Sequence, residues 1–414
     1  MAATLQPSNA RTHATRLRGT RPRALRLLTG AALAAVLAGC ATVRTSGPAP
    51  VPMEPSTTTT SAPTRWHFDD TRAPADRDGY RPPRKLAVLL PMSGPLATAA
   101  APVRDGLLAG YYGERRARPE LAFYDTSGTA AGATAAYARA IAEGADQVLG
   151  PLGRDEVDAL FRGPISVPVV ALNRGSAEAP DNAAAFSLAP EDEGDAAAQY
   201  LLKRNARNVL VLSNGEDAAR RSVDALAARL AQNGGSVVAT LAIIGDAPGD
   251  QTAALQNALA GEVGVDAVYL AIRGNQARVL APQMSVAGLA TRPRVGSSLL
   301  THGTGKAEED QILDGIVFPT ESWSIGSGAR SLPPQASVAS DLPTARGPAA
   351  RLFAFGFDAW LLAGYLEHLA LAPDATVGGA TGMLRIAPDG NVMRQPAWST
   401  WRNGYVVPQA DAGG

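Results

Sequence analysis

The 414-residue chain contains one cysteine, Cys40, and only four histidines. A single thiol excludes an intramolecular disulfide and any metal cluster built on cysteines, and four histidines are too few for a histidine-rich metal site. Two of them, His302 and His368, fall in the part predicted to fold, the first in a polar loop and the second near a helix end. We therefore expect no bound metal and no cofactor.

Sequence motifs of nucleophilic and phosphate chemistry are also missing. Residues 296–298, Gly-Ser-Ser, follow a predicted strand but lack the Gly-x-Ser-x-Gly pattern of a nucleophile elbow. Residues 303–306, Gly-Thr-Gly-Lys, are followed by alanine and lack the spacing of a phosphate-binding loop. We therefore expect that the protein is not an enzyme.

Charge is balanced over the whole chain, with 38 basic and 38 acidic residues, but it is unevenly distributed. Six arginines and no acidic residues lie in the first forty positions, so the remainder has 32 basic against 38 acidic side chains and a net charge of −6. A mildly acidic protein is a poor partner for nucleic acid or for an anionic membrane surface. We expect no nucleic-acid partner.

The N-terminus has the pattern of an export signal. Arginines between positions 11 and 26 precede an apolar run at residues 27–37, which is too short for a membrane-spanning helix but matches a signal-peptide core. The run ends in Leu-Ala-Gly-Cys at 37–40, which resembles a bacterial lipobox. The resemblance implies cleavage after residue 39 and lipidation of Cys40, and the alternative is an ordinary secretory signal cleaved near Ala38. Because Ala41 rather than aspartate follows, we expect a lipid anchor in the outer membrane, on its periplasmic face.

Residues 40–84 are predicted to form a disordered tether. The segment is rich in Pro, Ser, Thr and Gly, as at positions 57–63, and it offers few large apolar side chains for burial. It either gives the folded part reach above the membrane or serves only as a spacer.

From residue 85 onward, apolar runs of strand length alternate with helical segments, and the pattern starts again after Pro190. This alternation indicates an α/β protein with two lobes, each a doubly wound and mostly parallel sheet. A late helix at 349–369 and a closing hairpin at 383–405, with its turn at 388–391, indicate that the chain crosses between the lobes more than once. We expect a domain at 85–410, with lobe 1 at 85–189 and 294–375, and lobe 2 at 190–293 and 376–410.

Seven segments of the predicted domain carry a resemblance to a known family. They are LAVLLPMSGPL (86–96), QVLGPLGRD (147–155), VPVVALN (167–173), FSLAPEDE (186–193), DAVYLA (266–271), RLFAFGFDAW (351–360) and ATGML (380–384). Single motifs among them also occur in amino-acid receptors. Their order, together with the lipobox and the closing hairpin, resembles the penicillin-binding-protein activator lipoproteins, the LppC/LpoA family, with a type I periplasmic binding-protein fold.

The resemblance implies a lipoprotein that binds a bifunctional penicillin-binding protein, stimulates its transpeptidase activity and so regulates peptidoglycan synthesis. Longer relatives carry an N-terminal domain of helical TPR-like repeats, for which the segment from Cys40 to residue 84 is too short. We expect the tether to supply that reach, or the partner to approach more closely. The alternative function is a lipid-anchored solute receptor for an amino acid, a peptide or a cell-wall fragment.

Ligands of open α/β sheets bind beyond the carboxyl ends of the strands, which predicts a cleft between the lobes. The candidate cleft residues are Ser93, Gly94, Asp125, Ser127, Gly150, Leu152 and Asn173 in lobe 1, Asn214 and Arg273 in lobe 2, and Asp358 on the late helix. Two alternatives remain: the glycines only permit tight turns, and Asp358 is a buried residue that caps a turn. Arg154 or Asp155 stands where amino-acid receptors hold their ligand with serine or threonine, which is a departure from those receptors.

Candidate residues for contact with a protein partner are Trp323 and Arg330, in a Gly/Ser/Pro-rich stretch at 322–348. Tryptophan and arginine dominate interface energetics, although the tryptophan could equally pack on its own domain. Trp398 and Trp401 are three residues apart in the closing hairpin, so a regular strand directs them to opposite faces.

Overall fold

The computed structural model describes residues 65–301, 304, 306–326, 332–372 and 374–409. The predicted signal peptide, Cys40, Arg330 and the predicted tether as far as residue 64 lie outside the described residues.

The strands and helices alternate in the first two thirds of the described chain. The strands are β1 (Lys85–Leu90), β2 (Glu120–Asp125), β3 (Gln147–Leu149), β4 (Val169–Ala171), β5 (Ala183–Ala185), β6 (Asn208–Ser213), β7 (Ser236–Ala242), β8 (Ala267–Ala271), β9 (Arg294–Gly296), β10 (Ile316–Thr320), β11 (Val377–Gly378), β12 (Met383–Ile386), β13 (Val392–Gln395), β14 (Ala397–Arg402) and β15 (Tyr405–Pro408). The α-helices are α1 (Ala97–Gly113), α2 (Ala130–Ala142), α3 (Arg154–Phe161), α4 (Pro190–Leu202), α5 (Asp217–Gln232), α6 (Thr252–Leu259), α7 (Gly274–Val286), α8 (Ala307–Asp310), α9 (Gln335–Asp341) and α10 (Ala349–Leu371).

Strands β1 to β5 form a parallel sheet in the order β2-β1-β3-β4-β5, which is the centre of lobe 1. Leu86, Val88 and Leu90 of β1 enter one apolar cluster, and Ala87 and Leu89 enter another. Alternate residues of a strand point to opposite faces, so both faces of this sheet are covered. A parallel strand in that position requires an uninterrupted apolar run, and this explains why the run at 86–90 was correctly predicted to be a strand.

The sheet of lobe 2 has seven strands in the order β15-β14-β10-β9-β8-β6-β7. Strands β6 to β10 are parallel, and β14 and β15 complete the edge in antiparallel pairing. Trp398 and Trp401 of β14 enter different apolar clusters, as their odd spacing predicted, and both are buried. The mostly parallel, two-lobed α/β architecture is therefore as predicted.

Strand pairing corrects two of the predicted lobe boundaries. Residues 294–320 were expected in lobe 1, but β9 pairs with β8 and β10 pairs with β9, which places both strands in lobe 2. Strands β11 to β13 were expected in lobe 2, but they form a separate antiparallel sheet whose Leu384 and Val392 pack in the core of lobe 1. The sequence of a short apolar strand does not indicate which of two similar sheets the strand joins. Only the strand pairing in the structure shows this.

Helix α10 is the central core helix of lobe 1. Its length and hydropathy would suit a membrane span, but 78% of that apolar window is buried inside the domain. A Cβ on Gly356 would lie 1.9 Å from the carbonyl oxygen of Val103 on α1, and one on Gly106 would lie 1.9 Å from the carbonyl oxygen of Phe353. The backbones of α1 and α10 therefore touch at a crossing that only glycine allows, and α10 is held firmly on lobe 1.

Residues 65–84 pack along lobe 1, so the predicted end of the tether at residue 84 is wrong. Trp66 and Tyr80 are buried, and Glu367 on α10 binds Arg72 at 2.5 Å and Arg81 at 2.7 Å. The proline-rich composition of this segment predicted disorder, although two large aromatic side chains and the arginines attach the segment to lobe 1.

Candidate functional site

The two lobes meet where α4 and α10 begin. Helix α4 has Glu191, Asp192 and Glu193 in its first turn, where the partial positive charge of the helix end favours acidic residues. In the structure Asp192 and Glu193 are buried, and each faces an arginine of lobe 1. The first turn of α4 is therefore part of the contact between the lobes.

Arg351, in the first turn of α10, is the centre of this contact. Its Nη2 lies 2.5 Å from Oε1 of Glu193, its Nε lies 2.8 Å from Oε1 of Glu321, and its Nη1 donates to Oγ of Ser298 at 2.7 Å. The backbone N–H of Ser298 in turn donates to Oε2 of Glu193 at 2.9 Å. One guanidinium of lobe 1 is thus bound by three side chains of lobe 2, one from α4 and two that follow the carboxyl ends of β9 and β10.

Two more arginines of lobe 1 lie near the same helix end. Arg174 follows β4, and its Nη2 lies 2.9 Å and 3.2 Å from the two carboxylate oxygens of Asp192. Arg394 on β13 is buried and donates to the carbonyl oxygen of Thr381 at 3.3 Å, and its charge acts on both Asp192 and Glu193. We call the group Arg174, Asp192, Glu193, Ser298, Glu321, Arg351 and Arg394 the interlobe seam.

Burial and ion pairing act in opposite directions on the carboxyl groups of the interlobe seam. Burial raises the pKa of Asp192 above its ordinary value of 3.8, because Arg174 and Arg394 offset the loss of water only in part. Burial also acts to raise the pKa of Glu193, but Arg351 and Arg394 outweigh it and the pKa lies below 4.5. Burial opposes the charge of Arg351, yet Glu193 and Glu321 raise its pKa above the ordinary value. The Glu193–Arg351 pair is therefore ionised at neutral pH.

Two cavities adjoin the interlobe seam. The larger has a volume of about 710 Å³, and Ser298, Glu321 and Arg351 are among the polar residues that line it. The smaller has a volume of about 210 Å³, and its lining combines Asn173, Arg174, Ser187 and Arg221 with apolar side chains. The lobe 1 arginine in each wall, Arg351 or Arg174, already has a carboxylate partner from lobe 2.

Four predicted cleft residues come together at the carboxyl ends of β1 and β2. Ser93 donates to Oδ2 of Asp125 at 2.7 Å, and its hydroxyl lies 3.2 Å from that of Ser127. The backbone N–H of Ser127 donates to Oδ1 of Asp125 at 2.8 Å, and these bonds, with that from Ser93 foremost, lower the pKa of Asp125. Gly94 completes the turn with φ of +80°, in the left-handed region that favours glycine. The role of this hydrogen-bonded turn in ligand binding stays a prediction.

Leu152 and Asn173 line the 210 Å³ cavity, whereas Gly150 does not. The side-chain amide of Asn173 donates to the carbonyl oxygen of Leu152 at 3.0 Å. Gly150 is buried, and a Cβ there would lie 2.1 Å from the carbonyl oxygen of Leu89. Gly150 therefore serves close backbone packing, and its φ of +94° also suits the tight turn that was the alternative given for the glycines.

The predicted residues of lobe 2 form a group of their own. Arg273 lies 2.6 Å from Glu216 and 3.6 Å from Asp246, and Oδ1 of Asn214 accepts from the backbone N–H of Glu216 at 3.1 Å. Asn214 and Arg273 follow the carboxyl ends of β6 and β8, as predicted, but the bonds that the structure shows for them stay within lobe 2.

Asp358 is a structural residue, so its assignment to the cleft is wrong. It is fully buried, and its carboxylate accepts from the backbone N–H groups of Ala380 and Thr381 at 2.5 Å and 2.8 Å and from the Thr381 hydroxyl at 2.5 Å. Burial raises the pKa of Asp358 to about 7, against the opposing effect of these three donors. Asp358 thus fastens α10 to the turn before β12.

Trp323 is also buried, so the prediction of an exposed partner-contact residue is wrong for it. Only 5% of Trp323 is exposed, its ring stacks on that of Phe353 at 5.2 Å between centroids, and its Nε1 donates to the carbonyl oxygen of Pro333 at 2.7 Å. The segment after β10 folds back on lobe 1 through this side chain, which is the alternative given above.

Sequence reasoning missed Arg174, Glu193 and Arg351 as residues of the site. Glu193 and Arg351 lie in two of the seven segments that carried the family resemblance, and this was the available signal. The two residues are 158 positions apart, and acidic residues in a first helical turn are usually explained by the helix dipole alone. Nothing in the spacing shows that they meet.

Two parallel-sheet lobes that meet at the carboxyl ends of their strands define the class of this protein: it has a type I periplasmic binding-protein-like domain. A family model described as "LppC putative lipoprotein" matches residues 80–404. The chain therefore belongs to the LppC lipoprotein family.

Individual relatives agree with this assignment. The chain is 27% identical over 335 residues to the penicillin-binding protein activator LpoA of Mannheimia succiniciproducens, an alignment that covers 78% of this chain and 55% of the relative. The chain thus spans about half the length of the curated relatives it matches.

Solved structures show the same fold. The LpoA C-domain of Haemophilus influenzae, described as a regulator of PBP1A, has a TM-score of 0.67 and 22% identity, and the match covers 79% of this chain and all of that domain. A protein of Chromobacterium violaceum described as a "putative branched-chain amino acid ABC transporter" has a TM-score of 0.61 and 27% identity, over 77% of this chain and 99% of the other.

Proposed function

We propose that the protein is an outer-membrane lipoprotein, anchored through Cys40, that binds a bifunctional penicillin-binding protein and stimulates its peptidoglycan cross-linking. The observation that carries the proposal is the match of residues 80–404 to the LppC family, whose relatives include activators of penicillin-binding proteins. The C-domain of the Haemophilus influenzae regulator has the same fold over its full length, which supports a regulatory role for this region. Because the chain spans about half of those relatives, the partner is proposed only as a class.

The proposal includes no catalytic step by the protein itself. In the interlobe seam, Glu193 and Glu321 both bind Arg351, so neither carboxylate is free to act as a general base. Within the described ranges, no group of three or more His, Cys, Asp or Glu side chains is placed to hold a metal ion. The proposed effect on the synthase is exerted by binding.

The test is a cross-linking assay with purified components. The full chain carrying Cys40→Ala is added to a bifunctional penicillin-binding protein and its lipid-linked precursor, and the cross-linked fraction of the product is followed over time. We expect a several-fold rise in the cross-linking rate and co-elution of the two proteins. A branched-chain amino-acid receptor of the same fold is the matched control and should have no effect. If neither the rate nor the elution changes with any bifunctional synthase of the source organism, the proposal fails.

The second candidate function is capture of a small solute. The observation in its favour is the 210 Å³ cavity, lined by Leu152 and Asn173, in a domain 27% identical to the Chromobacterium violaceum protein. A ligand that binds only the folded state raises its melting temperature. A rise with millimolar L-leucine or with a cell-wall peptide, without any effect on a synthase, would favour the receptor over the regulator.

A further inference from the structure

The two helices that meet in the interlobe seam are each fixed to their own lobe by direct backbone contact. On α4, a Cβ at Gly194 would lie 1.9 Å from the carbonyl oxygen of Ser222 on α5, within lobe 2. On α10, Gly356 contacts Val103 of α1 equally closely, within lobe 1. Packing this tight transmits a displacement without absorbing it. Opening the lobes would therefore carry the backbones of Glu193 and Arg351 apart.

Opening the lobes would break several ionic contacts at the same time. Arg351 would lose Glu193, Glu321 and Ser298, and Arg174 would lose Asp192. Glu193 and Asp192 are 4% and 5% exposed, so their charges are shielded from water and their attraction to the arginines is strong. Opening would therefore have to replace all of these contacts by contacts with water in one step.

We propose that the arginines of lobe 1 hold the two lobes at one fixed angle without a bound solute. In a hinged receptor, the ligand supplies the groups that bridge the lobes. Here Arg351 and Arg174 supply them from the protein itself, at the edge of the sheets where a ligand would lie. The inference deepens the proposed function, because it means that a partner meets a preformed, rigid surface and that no small molecule is needed to assemble it.

The experiment measures the distance between the lobes in the protein alone. Cys40→Ala removes the only thiol of the full chain, so that Ala138→Cys on α2 and Ala253→Cys on α6, both exposed, can be spin-labelled specifically. Double electron–electron resonance then gives the interlobe distance distribution. We expect one narrow distribution that is identical with and without millimolar L-leucine.

Variants test whether the interlobe seam sets that distance. Arg351→Met should broaden the distribution and shift it outward by several ångströms. Arg229→Ala is the matched control, because Arg229 binds Asp195 on the same helix α4 but entirely within lobe 2, and it should leave the distribution unchanged. If Arg351→Met does not fold, Glu321→Gln is the second variant. It removes one of the two carboxylates that bind Arg351 and should broaden the distance distribution to a smaller degree.

Three results would overturn the inference. They are two interlobe distances in the protein with an unaltered interlobe seam, a change of that distance on addition of L-leucine, or an unchanged distance distribution in both Arg351→Met and Glu321→Gln. The measurement contains no synthase. Its outcome is therefore independent of whether the protein activates one.

Discussion

Replacement of Arg351 by methionine is the sharpest test of the energetics of the interlobe seam. Methionine is shorter than arginine but keeps an unbranched apolar stem, and it removes the charge that Glu193 and Glu321 face. Breaking a buried ion pair by removing one partner typically lowers the free energy of unfolding by about 3–5 kcal/mol. Glu193 keeps the hydrogen bond from the backbone of Ser298, so we expect a loss near the lower end, about 3 kcal/mol at pH 7.

The loss should depend on pH, and its sign follows from the direction of the Glu193 pKa. In the unaltered protein this pKa lies below 4.5, so Glu193 contributes stability above the pKa of the unfolded chain and loses it as the pH falls through the folded value. In Arg351→Met the carboxylate has lost its main cation, and burial then raises its pKa. The variant should therefore be closest to the unaltered protein in mild acid, where Glu193 becomes neutral.

Urea unfolding of the Cys40→Ala chain at pH 5 and pH 7 measures this effect. The double variant Glu193→Gln/Arg351→Met removes both charges and should recover most of the loss, to within about 1 kcal/mol of the unaltered protein. Arg229→Ala breaks a partly exposed pair within lobe 2 and should change stability by no more than about 1 kcal/mol. The reasoning is refuted if Arg351→Met costs no more than this control, or if the double variant is as unstable as the single one.

Three further predictions follow from the fold and the N-terminus. Gly356→Ala places a Cβ 1.9 Å from the carbonyl oxygen of Val103, so it should lower the free energy of unfolding by about 1–3 kcal/mol, measured with heat or urea. Alanine favours helices elsewhere, so an equal or higher stability would contradict the helix crossing. Asp358 has a pKa of about 7 in the fold against an ordinary 3.8, so the folded state retains a proton that the unfolded chain releases. The free energy of unfolding should therefore fall as the pH rises from about 4 to about 7. Asp358→Asn should abolish this pH dependence in urea unfolding. Cys40→Ala should prevent incorporation of radiolabelled fatty acid in vivo, and labelling that persists in the variant would exclude Cys40 as the anchor.

Much of the fold could be predicted because each lobe is built from local patterns. The run at 86–90 shows a strand covered on both faces, and the turn at 388–391 between β12 and β13 shows a hairpin. The helix at 349–369 was predicted within a few residues, because its apolar composition suits a buried core position. The predictions failed for β9 and β10, because either of two similar sheets could have accepted these strands. They failed also for the segment at 65–84, where the buried Trp66 and Tyr80 mattered more than the proline-rich composition.

By itself, the sequence determined the class of fold and the family, since these depend on patterns of neighbouring residues and on the order of motifs along the chain, and it predicted an export signal. Only the tertiary structure decided how the lobes are joined. Glu193, Glu321 and Arg351 are far apart in the chain, and each has an ordinary explanation in its local context. They become one buried ionic contact because the fold brings the first turns of α4 and α10 and the end of β10 to the same place, and electrostatic attraction depends on distance in space and on burial rather than on separation in sequence.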